Sequence, residues 1–282
     1  MIINGKELAA ELKRDIAFQT KEAVNKYGRP PHLAVLLVGD DPASQGYVRS
    51  KGKAAEQVGF DHTAVILPES TSEEELLAKI DELNADDGID AILVQLPLPK
   101  HIRKARVIEA ISPEKDVDAF HPMNVAAVWK RQSGLYPCTP NGILKILNRG
   151  GVKIEGKHAV VIGRSNIVGF PVAKMLLDRD ATVTIAHSHT QNLAELTRMA
   201  DILVVAIGQA KLITADMVKE GAAVVDVGIN RDTENGGMCG DVDFEAIKEK
   251  ASVITPVPGG VGPMTIACLM ENTLQCYLNR IK

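Results

Sequence analysis

Residues 158–169 read His158-Ala159-Val160-Val161-Ile162-Gly163-Arg164-Ser165-Asn166-Ile167-Val168-Gly169, an apolar run ending in a glycine turn that leads into a helical pattern at 168–178. Strand, glycine, helix is the local order of a βα unit whose turn can hold a phosphate. Glycine lets the backbone approach the anion, and the helix N-terminus favours its charge. The middle glycine of the usual G-x-G-x-x-G is replaced by Ser165, so an ordinary tight βα turn stays open as the alternative.

The same rhythm continues in both directions. Downstream, apolar runs at 181–186, 202–206, 223–227 and 252–255 alternate with helical patterns at 191–199 and 214–220. Upstream, runs at 32–38, 63–67 and 90–95 alternate with helical patterns at 43–58 and 73–84. Alternation of this kind predicts an α/β protein with two doubly wound parallel sheets. Apolar residues are 45% of the chain and aromatics only 4%, which suits buried parallel strands rich in Val, Ile, Leu and Ala. Turn formers at 132–142 and 256–263 mark two junctions, and an amphipathic helix at about 264–280 is expected to cross back to the first domain. The expected division is 1–140 plus 264–282 for the first domain and 141–263 for a Rossmann-type domain, the two flanking a cleft.

Charge and composition narrow the function. The 282 residues carry 32 basic and 36 acidic side chains, a net charge of −4. A nucleic-acid surface would need a clustered basic excess, and none is expected. No apolar run approaches the roughly 18–20 residues of a membrane helix, and Met1–Lys6 lacks the basic start and apolar stretch of a signal peptide. Cys138, Cys239, Cys268 and Cys276 show no C-x-x-C pairing. They read as reduced thiols of a cytoplasmic protein, with no metal site indicated.

The strand after the glycine turn bears on the cofactor. NAD-binding folds commonly end this strand in an acid that holds the ribose hydroxyls. Here the sequence is Ala186-His187-Ser188-His189-Thr190, with no acid, while Arg164 sits in the glycine turn. A missing carboxylate beside an arginine favours NADP over NAD. His189 reads more simply as a surface residue.

In the first half, the helix at 43–58 carries a lysine on an unexpected face. At 100° per residue, Val48, Ala54, Ala55 and Val58 fall together, and Gln45, Arg49, Lys53 and Glu56 fall opposite. Ser44, Tyr47 and Lys51 land on the apolar side, with Tyr47 and Lys51 neighbours four residues apart. Lys51 could simply run its stem along the core toward solvent. A lysine held in a partly dry cleft can instead lose its proton near neutral pH and serve as a base. Gln95 ends the run Asp90–Gln95, before Leu96-Pro97-Leu98-Pro99. Ligands of open α/β sheets bind outside the carboxyl ends of strands, so Gln95 and Lys51 are expected to meet, unless Gln95 only satisfies loop backbone.

With these residues placed, the chain resembles the bifunctional methylenetetrahydrofolate dehydrogenase/methenyltetrahydrofolate cyclohydrolase family over nearly its whole length. The resemblance rests on Asp41-Pro42-Ala43-Ser44 with Tyr47-Val48-x-x-Lys51, Gln95-Leu96-Pro97-Leu98-Pro99 and Lys115-Asp116-Val117-Asp118. It continues in Pro137-Cys138-Thr139-Pro140-x-Gly142, Gly163-Arg164-Ser165-x-Ile167-Val168-Gly169-x-Pro171, and Pro256 to Thr265.

The resemblance implies two reactions in one cleft: NADP takes hydride from 5,10-methylene-tetrahydrofolate, and water then opens the methenyl cation to 10-formyl-tetrahydrofolate. It implies Lys51 as general base or proton relay, Gln95 as the residue tuning it, and Ser44 in the same network. Tyr47 would stack on the folate and Asp118 would read the pterin amino edge. Val48, Val94, Leu96 and the loop Pro258-Gly259-Gly260-Val261-Gly262 would line the substrate. Gly163, Arg164, Ser165, Ser188 and Ile229 match cofactor positions, with Arg164 and Ser188 on the 2′-phosphate. A homodimer through the cofactor domain is also implied.

Three positions depart from the family pattern. Ala119 and Ala126 stand where glycines are usual, and His189 replaces a more usual basic residue. An alanine would be strained wherever the backbone needs positive φ. Two competing functions are another two-domain dehydrogenase, acting on a hydroxy acid or shikimate-like substrate, and a nucleotide-sensing protein without turnover. A formate–tetrahydrofolate ligase module is disfavoured by the short chain and the lack of a G-x-x-x-x-G-K-[ST] phosphate loop.

Overall fold

The computed structural model describes residues 1–233 and 236–281. Lys282, the last residue of the expected first domain, lies outside them. The chain divides into two compact units, one of residues 10–136 with the chain from Ile266 onward, the other of residues 1–9 with 137–265.

The first unit contains most of α1 (Gly5–Tyr27), then β1 (His32–Val38), α2 (Pro42–Gln57), β2 (Asp61–Leu67), α3 (Glu73–Ala85), β3 (Ala91–Val94), α4 (Lys104–Ala110) and α5 (Pro122–Trp129). Its three strands are all parallel in the order β2-β1-β3. The central strand β1 is buried from Leu33 to Val38, which explains its unbroken apolar run, whereas every residue of the edge strand β2 is exposed or half-buried. Local signals set the helix starts. Asp41 accepts from Ser44 N (2.7 Å) ahead of Pro42, and Ser72 and Glu75 form a reciprocal capping box. Leu76, Ile80, Val107 and Ile111 pack on alternate residues of β1 and β3 to form one core.

The second unit holds α6 (Cys138–Arg149), β4 (His158–Ile162), α7 (Gly169–Leu177), β5 (Thr182–Ala186), α8 (Leu193–Arg198), β6 (Ile202–Val205) and β7 (Ala223–Asp226). These are followed by a two-stranded antiparallel ribbon, β8 (Asn230–Arg231) with β9 (Met238–Cys239), then α9 (Phe244–Ile247), β10 (Val253–Ile254) and the start of α10 (Val261–Arg280). The large sheet is parallel in the order β10-β7-β6-β4-β5.

The structure differs from the sequence reading in several places. Residues 1–9 belong to the second unit because β10 is an edge strand that they extend: Ile3 N donates to Ile254 O and Ile254 N to Met1 O, each at 2.9 Å. The turn-rich stretch 132–142 is half helix, since α6 starts at Cys138 and places Pro140 in its first turn, where no N–H is needed. Likewise α10 starts at Val261, inside the second expected junction. The helix expected at 214–220 is a single 3₁₀ turn, Ala215–Met217, cut short by Gly221, whose N–H turns to Lys250 O.

Candidate active site

Each sheet has a point where chain connections leave in opposite directions, and open α/β folds bind ligands there, beyond the carboxyl ends of the strands. In the first unit that point lies between β1 and β3. Gln95 follows β3 directly and continues its pairing, with its N–H donating to Leu36 O of β1 at 2.8 Å. The Lys51 ammonium, on the helix that follows β1, donates to Gln95 Oε1 at 2.8 Å. The Gln95 Nε2 donates to Leu96 O at 2.7 Å, which fixes which way round the amide sits. Gln95 is only 9% exposed, while Lys51 is half-buried. The amine is thus held beside an amide oxygen at the switch point, the meeting expected from the position of both residues at strand carboxyl ends.

The other expected substrate residues of this unit divide into three settings. Tyr47, one turn before Lys51, is 42% exposed, an open ring rather than part of the core. Val48 is buried on the same helix. Ser44 is buried, and its backbone N–H and hydroxyl hold the Asp41 carboxyl below its ordinary range. Val94, Leu96, Asp118 and Phe120 border one small recess beside β3.

The Lys115–Asp118 segment shows a division of labour that the sequence did not reveal. Lys115 is 3% exposed and donates to the carbonyls of Leu83 (2.9 Å), Asn84 (2.8 Å) and Asp86 (2.7 Å), closing the C-terminus of α3. Asp116 accepts from His121 N (2.7 Å) and Asn124 Nδ2 (2.8 Å), pinning the loop that carries Asp118. Burial nonetheless pushes the Asp116 carboxyl up from its ordinary value. Asn272 of α10 clamps the same loop, donating to Val117 O at 2.9 Å and Tyr136 O at 2.8 Å. Ala119 sits in this loop at φ +58°, fully buried. That left-handed backbone is one glycine adopts freely and alanine only with strain, whereas Ala126 lies inside α5 and carries no such demand.

In the second unit the order β10-β7-β6-β4-β5 puts the switch point between β4 and β6. Gly163 follows β4 at φ +114°, and a Cβ there would overlap Ala206 O at the end of β6. A Cβ on Gly169 would overlap Gly163 O. Both glycines are therefore required by close backbone approach, the property a pyrophosphate turn needs. Ser165, in place of the middle glycine, turns its hydroxyl onto the helix start and accepts from Val168 N (3.2 Å) and Gly169 N (3.3 Å). Gly163 N donates to Ala186 O at 2.9 Å, so Arg164 and the His187–Ser188 turn lie at neighbouring strand ends, with Arg164 and Ser188 both exposed. His189 N donates to His187 Nδ1 at 3.2 Å, and the two rings meet edge to face. Ile229 is 48% exposed beyond β7. The loop 258–262 follows a cis Val257–Pro258 bond, and a Cβ on Gly260 would crowd Pro256 O. The glycine cradle, the nine-residue helix behind it and the exposed Arg164 fit a 2′-phosphorylated dinucleotide. Among the described residues no cluster of His, Cys, Asp or Glu is placed to hold a metal ion, and no helix is long and apolar enough to cross a membrane.

A parallel sheet with a dinucleotide turn, joined in one chain to a second parallel sheet bearing a lysine–amide pair, defines a nicotinamide-nucleotide-dependent α/β enzyme. Residues 3–118 match the family model for the tetrahydrofolate dehydrogenase/cyclohydrolase catalytic domain, and residues 137–281 match that for its NAD(P)-binding domain. The chain belongs to this family. It is 53% identical over 280 residues to the bifunctional protein FolD of Streptococcus mutans, covering 99% of this chain and 98% of that one. The crystal structure of the bifunctional FolD dehydrogenase/cyclohydrolase from Campylobacter jejuni superposes with a TM-score of 0.97 at 51% identity, covering 99% of both chains. The Trypanosoma brucei dehydrogenase-cyclohydrolase, solved with NADP and an inhibitor, superposes at 0.96 with 38% identity, covering 100% of this chain and 98% of that one.

Proposed function

We propose that the protein oxidises 5,10-methylene-tetrahydrofolate with NADP and hydrolyses the resulting methenyl cation to 10-formyl-tetrahydrofolate. The observation that carries this reading is the 2.8 Å bond from Lys51 Nζ to Gln95 Oε1 at the switch point of the first sheet. The methenyl cation is already electrophilic, so its hydration needs a proton acceptor and placement rather than a Lewis acid. Lys51 is the group suited to accept the proton from water: its amine is half-buried at the strand end where open α/β sheets bind ligands, and its bond to Gln95 Oε1 orients it. Gln95 orients the amine and, being neutral, does not stabilise its charged form as a carboxylate would.

Tyr47 offers its open ring as a stacking face, and Asp118, fixed by Asp116 and Asn272, offers a carboxylate to an amino-bearing heterocycle. Val48, Val94 and Leu96 supply apolar lining within the first unit. Ser44 acts one step back, setting the start of α2 through Asp41. NADP supplies the hydride acceptor. Toward it, Gly163 and Ser165 shape the pyrophosphate turn, Arg164 and Ser188 take the 2′-phosphate, and Ile229 presents an apolar contact. We further propose a cytoplasmic homodimer paired through the second unit. The four buried thiols fit a reducing compartment.

The test is a spectrophotometric assay with methylene-tetrahydrofolate, comparing NADP with NAD. Reduction of NADP, followed by decay of the methenyl product, is expected. NADP binding with no absorbance change would identify a nucleotide-sensing protein instead.

A further inference from the structure

A pair of buried carboxylates at the carboxyl ends of β6 and β7 lies outside every residue assigned so far. Asp241 is fully buried and accepts four hydrogen bonds. Oδ2 takes Ile207 N (2.7 Å) and Gly208 N (3.0 Å), while Oδ1 takes Gln209 N (2.7 Å) and Asn230 Nδ2 (2.8 Å). Three consecutive N–H groups converging on one anion form a backbone nest, and Gly208 at φ +67° supplies its left-handed residue. Asp226, at the end of β7 and 3% exposed, holds Asp241 in turn. Its oxygens accept from Gly228 N (2.9 Å), Asp241 N (3.0 Å) and Val242 N (2.9 Å).

The packing around the pair leaves no slack. A Cβ on Gly228 would overlap the Asp241 carboxylate, and one on Gly240 would overlap that of Asp226. Burial raises the Asp226 carboxyl to about 6 even though three N–H groups favour its charged form. Keeping two desolvated acids this close is costly, and a turn that only had to connect β6 to the next segment would not need them.

Peptide geometry shows what the arrangement achieves. In a trans peptide the N–H and the preceding C=O point in opposite directions. With the N–H groups of residues 207, 208 and 209 drawn in to Asp241, the carbonyls of 206, 207 and 208 must turn away from that carboxylate. Ala206 O lies against buried Gly163, at the switch point between β4 and β6. Gly208 and Gln209 are exposed. A dinucleotide that puts its adenosine half over β4 and β5 carries its nicotinamide half over β6 and β7, where this turn and residues 229–230 form the rim.

We infer that Asp241, seated on Asp226, is a positioning residue for hydride transfer: it sets the backbone ledge of 207–209 and 230 against which the nicotinamide half of the cofactor is aimed. This rests on the dehydrogenase reading above, and on nothing in the Lys51 site. Asp241→Asn puts an NH2 group where one carboxylate oxygen now accepts two donors, so the nest loses its shape while the bulk of the side chain is kept.

Four quantities are measured on wild type and variant: kcat and NADP KM for methylene-tetrahydrofolate oxidation, the Kd of 2′,5′-ADP, the rate of methenyl-tetrahydrofolate hydrolysis, and Tm. The expected signature is a kcat for oxidation at least tenfold lower, because misplacement by about an ångström is enough for such a loss. The 2′,5′-ADP Kd and the hydrolysis rate should stay within twofold of wild type. A kcat within twofold of wild type, or a parallel loss of 2′,5′-ADP binding and hydrolysis, overturns the inference. Should Asp241→Asn not fold, Asn230→Ala removes a single donor and must show the same split at smaller size, a threefold or greater fall in kcat alone. Wild type that fails to oxidise methylene-tetrahydrofolate at all would count against the dehydrogenase reading itself, a distinct result.

Discussion

Replacing Lys51 by methionine separates the chemistry of the first unit from its stability, and the structure sets the size of both effects. Methionine keeps most of the stem and its packing on α2, but removes the donor 2.8 Å from Gln95 Oε1. A buried acceptor left without its partner costs about 1–3 kcal/mol. Relief of the lysine's own desolvation offsets part of that, leaving a net loss of about 1–2 kcal/mol. For a unit of this size each kcal/mol moves Tm by roughly 2–4 °C, so a fall of a few degrees is expected. From a starting stability of about 5–15 kcal/mol, such a loss leaves the protein folded at 25 °C.

Loss of a positioned proton acceptor should slow hydrolysis by about 10²–10⁴-fold, equivalent to roughly 3–5 kcal/mol in the barrier. The catalytic effect therefore exceeds anything partial unfolding could produce. The assay is the decay of methenyl-tetrahydrofolate absorbance at saturating substrate, with near-ultraviolet circular dichroism and Tm as controls. Lys51→Arg sharpens the test, because a guanidinium keeps the charge but does not give up its proton near neutral pH. It should be as inactive in hydrolysis as the methionine variant. A hydrolysis rate within threefold of wild type in Lys51→Met would remove Lys51 from the mechanism. Full activity in Lys51→Arg would reduce its role to charge alone.

Three further outcomes follow from named contacts. Arg164→Ala should raise the Kd for NADP at least tenfold while leaving NAD nearly unchanged, as read by fluorescence titration; equal losses for the two would deny the 2′-phosphate contact. Glu73 accepts from Arg103 and Arg106, and the Arg103 bonds hold its carboxyl at about 2, against an ordinary 4.5. The folded-state value lies below the unfolded one, so this contribution is intact above pH 4.5 and is lost as pH falls toward 2. Glu73→Gln should lower Tm at pH 6 and flatten its fall between pH 4.5 and pH 2, and an unchanged acid limb would contradict the assignment. In Ala119→Gly, relief of the left-handed strain, about 1–2 kcal/mol, works against about 0.4–1 kcal/mol of added unfolded-state entropy and about 0.8 kcal/mol for the buried methyl. Stability should therefore change by no more than about 1 kcal/mol by urea denaturation, and a loss above 2 kcal/mol would show that the loop needs that methyl.

What could be read from the sequence, and what could not, follows the range over which each interaction acts. The strand–helix alternation is local, so β1 at 32–38 and β4 at 158–162 match their expected spans, and α2 and α3 match within a residue. Lys51 was legible because a helical wheel is also local: four residues on one face were apolar, and a charge among them needed a reason. Gln95 could be paired with it only through a topological rule, that consecutive strand ends in a parallel sheet meet at one edge. Helix α6 was hidden because Pro137 before it and Pro140 and Gly142 within it are residues that also make turns, and only tertiary packing says which use applies.

The Lys115–Asp118 motif shows the deeper difficulty. Four adjacent residues invite a single function, yet Lys115 closes a helix thirty residues away and Asp116 ties down a loop, leaving Asp118 to face the recess. Asp241 is harder still: its partners lie at 207–209 and 230, and neither spacing nor periodicity connects them. A fully desolvated carboxylate takes its meaning from the donors around it, and those become neighbours only once the sheet has formed. For such a residue the sequence alone can name the amino acid, and its role appears only when every buried N–H is traced to its acceptor.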